Sequence, residues 1–280
     1  TWCGGNDFMA AADRGGRLHH LAIPVDANGR AGKPEFKKHT TLEGAVDLEG
    51  VAFDPLRGTV WVTDENGPAI SEHDPETGRR LASLEIPAHL AKSRANLSTE
   101  ALAISPDGLS MWTANEETLS CDGPLADEHS GSMVRIFAFR RNDARSPWTP
   151  AGEWAYSTDP TAGPPFKGFR RSALADLATD SSGALYALEI EFSKKFLPGF
   201  RTRIYAVDFN GADDTTSLES LKGAAFRPVG KTLVYESFQI FQMFEGLAFG
   251  PPLPGGGRLA VLVSDGDDTL AKSIRCLRAP

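Results

Sequence analysis

Short apolar runs bounded by acids recur along this chain, and they set its reading. Leu48 to Pro55 reads Leu-Glu-Gly-Val-Ala-Phe-Asp-Pro and leads through a turn into Thr59 to Glu65, Thr-Val-Trp-Val-Thr-Asp-Glu. A carboxylate opens the first run and carboxylates close the second. The pattern returns from Glu100 to Glu117, from Asp176 to Glu191 and from Glu245 to Asp267. Four copies at a spacing of roughly 50–75 residues mark a repeat architecture. Each run is of strand length and bounded by Gly, Pro, Asp or Ser turns.

Five units follow from this pattern. Residues 1–47 hold runs at Phe8 to Asp13, Leu18 to Val25 and Phe36 to Leu42, with a first strand missing or reduced to Trp2-Cys3. Residues 48–87 form the second unit. Residues 88–97 read as a short polar helix or loop. Residues 98–157 form the third unit, with an insertion at 120–132 and an alternating strand at Val134 to Phe139. Residues 160–171 are loop. Residues 172–238 form the fourth unit, with strands at 203–208 and 231–235, and residues 240–280 form the fifth, without an outer strand. No amphipathic helix of three turns is present, so the chain is predicted to be all-β. Units of up to four short strands predict a single β-propeller of four-stranded blades spanning 1–280, five- or six-bladed, with an incomplete first blade. Terminal strands combined in one blade would close the ring and hide its sheet edges.

In a blade the inner strand runs along the channel and the next strand returns. First-strand starts and second-strand ends therefore share one mouth. Glu49, Glu100, Asp176 and Glu245 stand at the starts. Asp64, Glu65, Glu116, Glu117, Glu189, Glu191, Asp265 and Asp267 stand at the ends. Crowded carboxylates raise one another's pKa, and a divalent cation relieves the repulsion. Oxygen-only ligands favour Ca²⁺, with Mg²⁺ or Mn²⁺ as alternatives. Glu49, Glu100, Asp176, Glu189, Glu245 and Asp265 are thus the expected metal ligands, and Glu65 and Glu116 the candidate general bases. Acids in blade turns also accept backbone N–H bonds, a purely structural use of the same residues.

Composition narrows the choice of partner. The net charge of −8 argues against nucleic acid. No apolar run reaches the ~20 residues of a membrane span. The six histidines are scattered, and GxSxG, HExxH and phosphate-loop motifs are absent from the sequence. Asn96-Leu97-Ser98 fits a glycosylation sequon. The three cysteines, Cys3, Cys121 and Cys276, form no CxxC pair; a Cys3–Cys276 bridge would tie the two ends, and three unrelated thiols is the alternative. Basic residues gather at Lys167, Arg170, Arg171, Lys194, Lys195, Arg201 and Arg203. Lys167, Arg170, Arg171 and Lys194 are expected beside the acidic mouth, where they would hold a small anionic substrate such as a phosphate ester.

The segments 47–53 with 61–68, 98–108, 172–178 with 187–189, 203–208 and 244–257 with 263–265 resemble, in order, the phytase-like family, also called the "esterase-like activity of phytase" domain. That resemblance implies a β-propeller in secreted or periplasmic proteins and hydrolysis of phosphate or carboxylic esters. Ile190 follows Glu189 where the family often has Arg. Two functions are carried forward: a metal-dependent ester hydrolase, monomeric and acting at the acidic mouth, and a non-catalytic calcium-stabilised propeller that binds a ligand or protein partner there.

Overall fold

The computed structural model describes all residues except 13, 67–68, 87, 91–98, 195–197, 241, 266–272 and 280, and does not describe the side chains of 198 and 265. The sequon and residue 267 lie outside the described residues. Among the described residues, nineteen strands form five antiparallel sheets. The first blade is β1 (Trp2–Gly4), β2 (Asp7–Ala12), β3 (Arg17–Ala22) and β4 (Glu35–Thr41). The second is β5 (Leu48–Asp54), β6 (Thr59–Asp64), β7 (Ala69–His73) and β8 (Arg80–Leu84). The third is β9 (Thr99–Ile104), β10 (Ser110–Asn115), β11 (Met133–Arg140) and β12 (Thr149–Ser157). The fourth is β13 (Arg171–Thr179), β14 (Leu185–Lys194), β15 (Pro198–Asp208) and β16 (Gly230–Gln239). The fifth has three strands, β17 (Met243–Pro252), β18 (Arg258–Asp265) and β19 (Ile274–Ala279).

The arrangement is a five-bladed β-propeller, with strands paired in chain order within every blade. Inner strands pack side by side: β5 on β9, β9 on β13 and β13 on β17. The first blade closes the ring, with β2 against β5 and β1 against β17. The inner strand β1 is only three residues long, so Phe8, Met9, Ala10 and Ala11 of β2 line the channel there. Among the described residues, strands from the two ends of the chain do not share a sheet, and the ring closes by packing of β1 against β17. Cys3 and Cys276 are free thiols, as is Cys121, so the closing disulfide does not form. Among the described residues no helix is long and apolar enough to cross a membrane.

The apolar alternation explains the packing. Alternate residues of each strand face the neighbouring blade, and clusters form between sheets. Trp61 and Ala52 of the second blade meet Leu102, Met111 and Phe139 of the third. Leu174 and Leu177 of the fourth meet Val134, Ile136 and Tyr156 of the third. Buried charges also bridge blades. Arg141 donates to Asp54 Oδ1 at 2.7 Å and to the Gly108 carbonyl at 2.7 Å, tying the third blade to the second. The insertion after β10 is fastened by Arg135, fully buried, which donates to Asp122 at 2.6 and 2.7 Å and to Glu153.

A distinctive feature of the inner strands is a bulge at the acidic position. Leu48 pairs with Asp64 and Val51 with Val62, so Glu49 and Gly50 face a single partner position. Glu100 is the extra residue between Thr99 and Ala101, and Glu245 the extra residue between Phe244 and Gly246. In the fourth blade the extra residue is Ala175, and Asp176 follows it. A bulge re-aims a side chain and bends its strand, and both effects belong at the rim of a closed ring.

The small residue beside the acid has its own cause. A Cβ on Gly50 would lie 2.8 Å from both the Glu100 carbonyl oxygen and the Leu102 nitrogen. Neighbouring inner strands approach too closely there for a side chain. Replacement of Gly50 by Ala is therefore expected to destabilise the protein by about 1–3 kcal/mol, as overpacking does. Urea denaturation measures this, and an unchanged midpoint would contradict the close approach.

Candidate functional site

The bulges and the strand register bring four acids to one place. Glu49, Glu100, Asp176 and Glu245 all line a cavity of about 140 Å³ at one end of the channel. Met9, Leu21, Ile23, Leu48, Val261 and Ile274 supply apolar wall. Second-strand ends face first-strand starts, because Leu48 pairs with Asp64, Asn115 with Thr99, Glu189 with Leu174 and Asp265 with Met243.

Asp176 is a strongly perturbed acid. Its Oδ1 accepts from the Leu177 N–H at 2.8 Å and its Oδ2 from the Leu247 N–H at 2.7 Å, across to the fifth blade. Burial pushes its pKa from 3.8 up to about 7, against the downward pull of those amides and of the Thr1 amine. Its residual surface faces the cavity. The offset of one residue seats Asp176 where the other blades carry Gly50, Ala101 and Gly246.

The remaining candidates are committed elsewhere. Glu189 is fully buried, away from the cavity lining. It accepts from Tyr156 Oη at 2.6 Å, Lys231 Nζ at 2.6 Å and the Asp159 N–H at 3.0 Å. Lys231 also pairs with Asp159 at 2.7 Å, and Tyr205 Oη donates to Asp159 at 2.6 Å. This network welds the outer part of the fourth blade to the end of β12, which is a structural assignment for Glu189. Glu116 is buried and ion-paired with Arg171, which also lies 3.8 Å from Glu117. It is therefore poorly placed as a free base. Asp64 accepts from the Val46, Asp47 and Asn66 amides at 2.7, 3.3 and 3.0 Å, an acid used as a turn anchor. Glu65 stands just past β6 and is not among the residues lining the cavity. Asp265 ends β18 opposite Met243, and its side chain lies outside the described residues.

The basic residues do not join the acids. Arg170 lies 3.6 Å from Glu128, and Arg171 is held by Glu116. Lys167 and Lys194 are exposed, with their ammonium groups 5.5 and 5.9 Å from the Phe166 ring centre. None of the four lines the acidic cavity.

The donor set of the cavity is oxygen-only, the chemistry that suits calcium. Its geometry does not fit: among the described residues, no group of three or more His, Cys, Asp or Glu is arranged to hold a metal ion. The opposite end of the channel holds a larger cavity of about 300 Å³, with walls from Trp2, Phe53, Ile104, Pro106 and Phe249. Its charged residues are engaged: Asp180 accepts from Ser182 and Tyr186, and Arg258 donates to the Gly250 carbonyl. The acidic end is the one where acids from four blades line a single cavity, which favours it as the functional end.

The family model described as phytase-like, "esterase-like activity of phytase", matches residues 2–268. No curated protein matches the chain. Among solved structures, a Bacteroides uniformis protein assigned as a 6-phosphogluconolactonase is 13% identical, with a TM-score of 0.39 over 97% of this chain and 81% of that one. Hydrazine synthase of Kuenenia stuttgartiensis is 10% identical, with a TM-score of 0.38 over 100% and 94%. A Bacteroides caccae protein of unknown function is 10% identical, with a TM-score of 0.37 over 98% and 74%. With TM-scores this low, none of the three bears on what this chain does.

The raised pKa of Asp176 fixes the sign of a pH effect. Between about pH 4 and 7 the folded state holds a proton that the unfolded state has lost. Stability contributed by this group is thus greatest below the unfolded pKa and falls as pH rises to about 7. Replacement of Asp176 by Asn should flatten that fall by a difference on the order of a few kcal/mol. Denaturant titrations of both proteins across this range check it, and parallel profiles would contradict it.

Proposed function

The chain belongs to the phytase-like family, described by esterase-like activity, and on that premise we propose that it is a hydrolase cleaving a small ester at the acidic end of the propeller channel. The observation that carries the reading is the convergence of Glu49, Glu100, Asp176 and Glu245, from four different blades, on one cavity. A carboxyl titrating near neutrality can take a proton and give it back within one cycle. In the proposed cycle the Asp176 carboxylate accepts a proton as water adds to the ester carbonyl carbon. It then returns that proton to the departing alcohol as the carbon–oxygen bond breaks.

Charge favours a neutral carboxylic ester over a phosphate ester. A phosphate would sit against Glu49, Glu100 and Glu245 in a confined space where like charges repel strongly. The lysines and arginines expected to offset that repulsion do not line the cavity. Bound calcium would supply positive charge, and Glu49, Glu100, Asp176 and Glu245 have the donor chemistry for it. Their arrangement is not that of a ligand set, so no step is assigned to the ion.

Hydrolysis of p-nitrophenyl acetate and p-nitrophenyl phosphate, each with EDTA and with added Ca²⁺, tests the reading. The acetate should turn over with or without calcium, its rate rising with pH through about 7. Asp176→Asn should lower kcat by about a hundredfold or more, the scale of general-base removal. Calcium-dependent turnover of the phosphate alone would replace this reading with the metal-dependent one. No turnover of either ester would replace it with that of a ligand-binding propeller.

A further inference from the structure

The acidic end of the fourth blade carries a second feature that the channel chemistry leaves unused. There β13 begins, β14 ends, β15 begins and β16 ends, so four strand ends meet at one corner. The turn Phe166-Lys167-Gly168-Phe169 stands ahead of β13, closed by hydrogen bonds between Phe166 and Phe169 in both directions at 2.8 and 3.0 Å. Lys167 sits in the left-handed region at φ 52°, which fixes the tip of the turn. The Lys194 N–H bonds the Pro164 carbonyl at 3.0 Å and joins the end of β14 to this loop. Phe192 lies at the centre of an aromatic knuckle, with Phe166, Phe169 and Phe200 ring centres 6.4, 5.5 and 4.9 Å away.

The knuckle is apolar and its edge stands open to water. Phe169 is 53% exposed, and Phe238 and Ile240 at the end of β16 are 47% and 42% exposed. Large apolar side chains grouped in water at one corner mark an interaction surface. Its charges select the partner. The arginines of the corner are neutralised: Arg170 by Glu128, Arg171 by Glu116, and Arg201 by Glu191 and Glu236. Lys167 and Lys194 have no ion-pair partner among the described residues. A chain of net charge −8 thus presents two unneutralised cations beside an exposed Phe turn.

The geometry points to an anionic membrane surface as the partner of this corner. An exposed phenylalanine at a turn can enter the headgroup boundary, and flanking lysines meet lipid phosphates. The corner stands at the acidic end of the channel, so binding would turn that cavity toward the lipid. The inference rests on the knuckle and its lysines and does not depend on the proposed hydrolysis.

Co-sedimentation with vesicles tests it, using phosphatidylcholine alone and phosphatidylcholine with about one-third phosphatidylglycerol. The protein should bind the anionic vesicles, release from them at high salt, and bind the neutral ones at least about tenfold more weakly. Lys167→Gly, which suits the left-handed backbone, and Lys194→Gln should each weaken binding about fivefold. Phe169→Ser should weaken it about tenfold. These side chains are exposed, and an unchanged melting temperature confirms that the variants fold. Asp176→Asn should bind vesicles like the parent protein. No binding to either vesicle, equal binding to both, undiminished binding by all three variants, or capture of oligo(dT) in place of vesicles would overturn the inference.

Discussion

The close approach of the inner strands around the channel axis governs the rest of this propeller. At Gly50 the neighbouring strand leaves no room for a single carbon beyond the backbone. Strands this close need somewhere to place their channel-facing side chains, and the bulges provide it. Each of the four long inner strands spends an extra residue at the same height, and in three of them that residue, or the first of a pair, is glutamate. The acids therefore converge because of how the ring packs. Nearby threonines hold the bulges: the Gly50 N–H donates to Thr63 Oγ1 at 2.7 Å, and Thr113 Oγ1 donates to the Ala101 carbonyl at 2.8 Å.

The fourth blade departs from this scheme in ways that bear on function. Its bulge carries Ala175, and the acid moves one residue on, to the register position that Gly50 holds in the second blade. There Asp176 takes amide hydrogen bonds from its own blade and the next, while burial holds its proton. The same blade has the longest strands, and the Phe166–Phe169 turn and the aromatic knuckle lie at their acidic-end termini. One blade thus supplies both the proton-holding acid and the surface that would orient the channel.

Much of this was legible in the sequence. The five units, their order and the shared mouth of strand starts and ends follow from period-two alternation and turn residues, which are local signals. The fates of individual acids were less legible, because their partners lie far along the chain. Glu189 is claimed by Lys231, 42 residues later on the outermost strand, and Glu116 by Arg171 on the next blade. Such pairings depend on strand register and blade order together. A one-residue bulge is also silent in a repeat of uneven length, so the offset of Asp176 emerged only from the register. The lysines and arginines looked like one anion-binding group because they are close in sequence. Acidic neighbours from other strands divide them into paired arginines and free lysines.

The account turns on Asp176 holding a proton near neutrality inside a cavity that three glutamates share. Carbon-13 NMR of the aspartate carboxyls, with Asp176 assigned by comparison with Asp176→Asn, measures this directly. A titration midpoint at about 7 is the predicted result. A midpoint at or below the ordinary aspartate value of about 3.9 would show an ionised, solvated carboxylate and contradict the account.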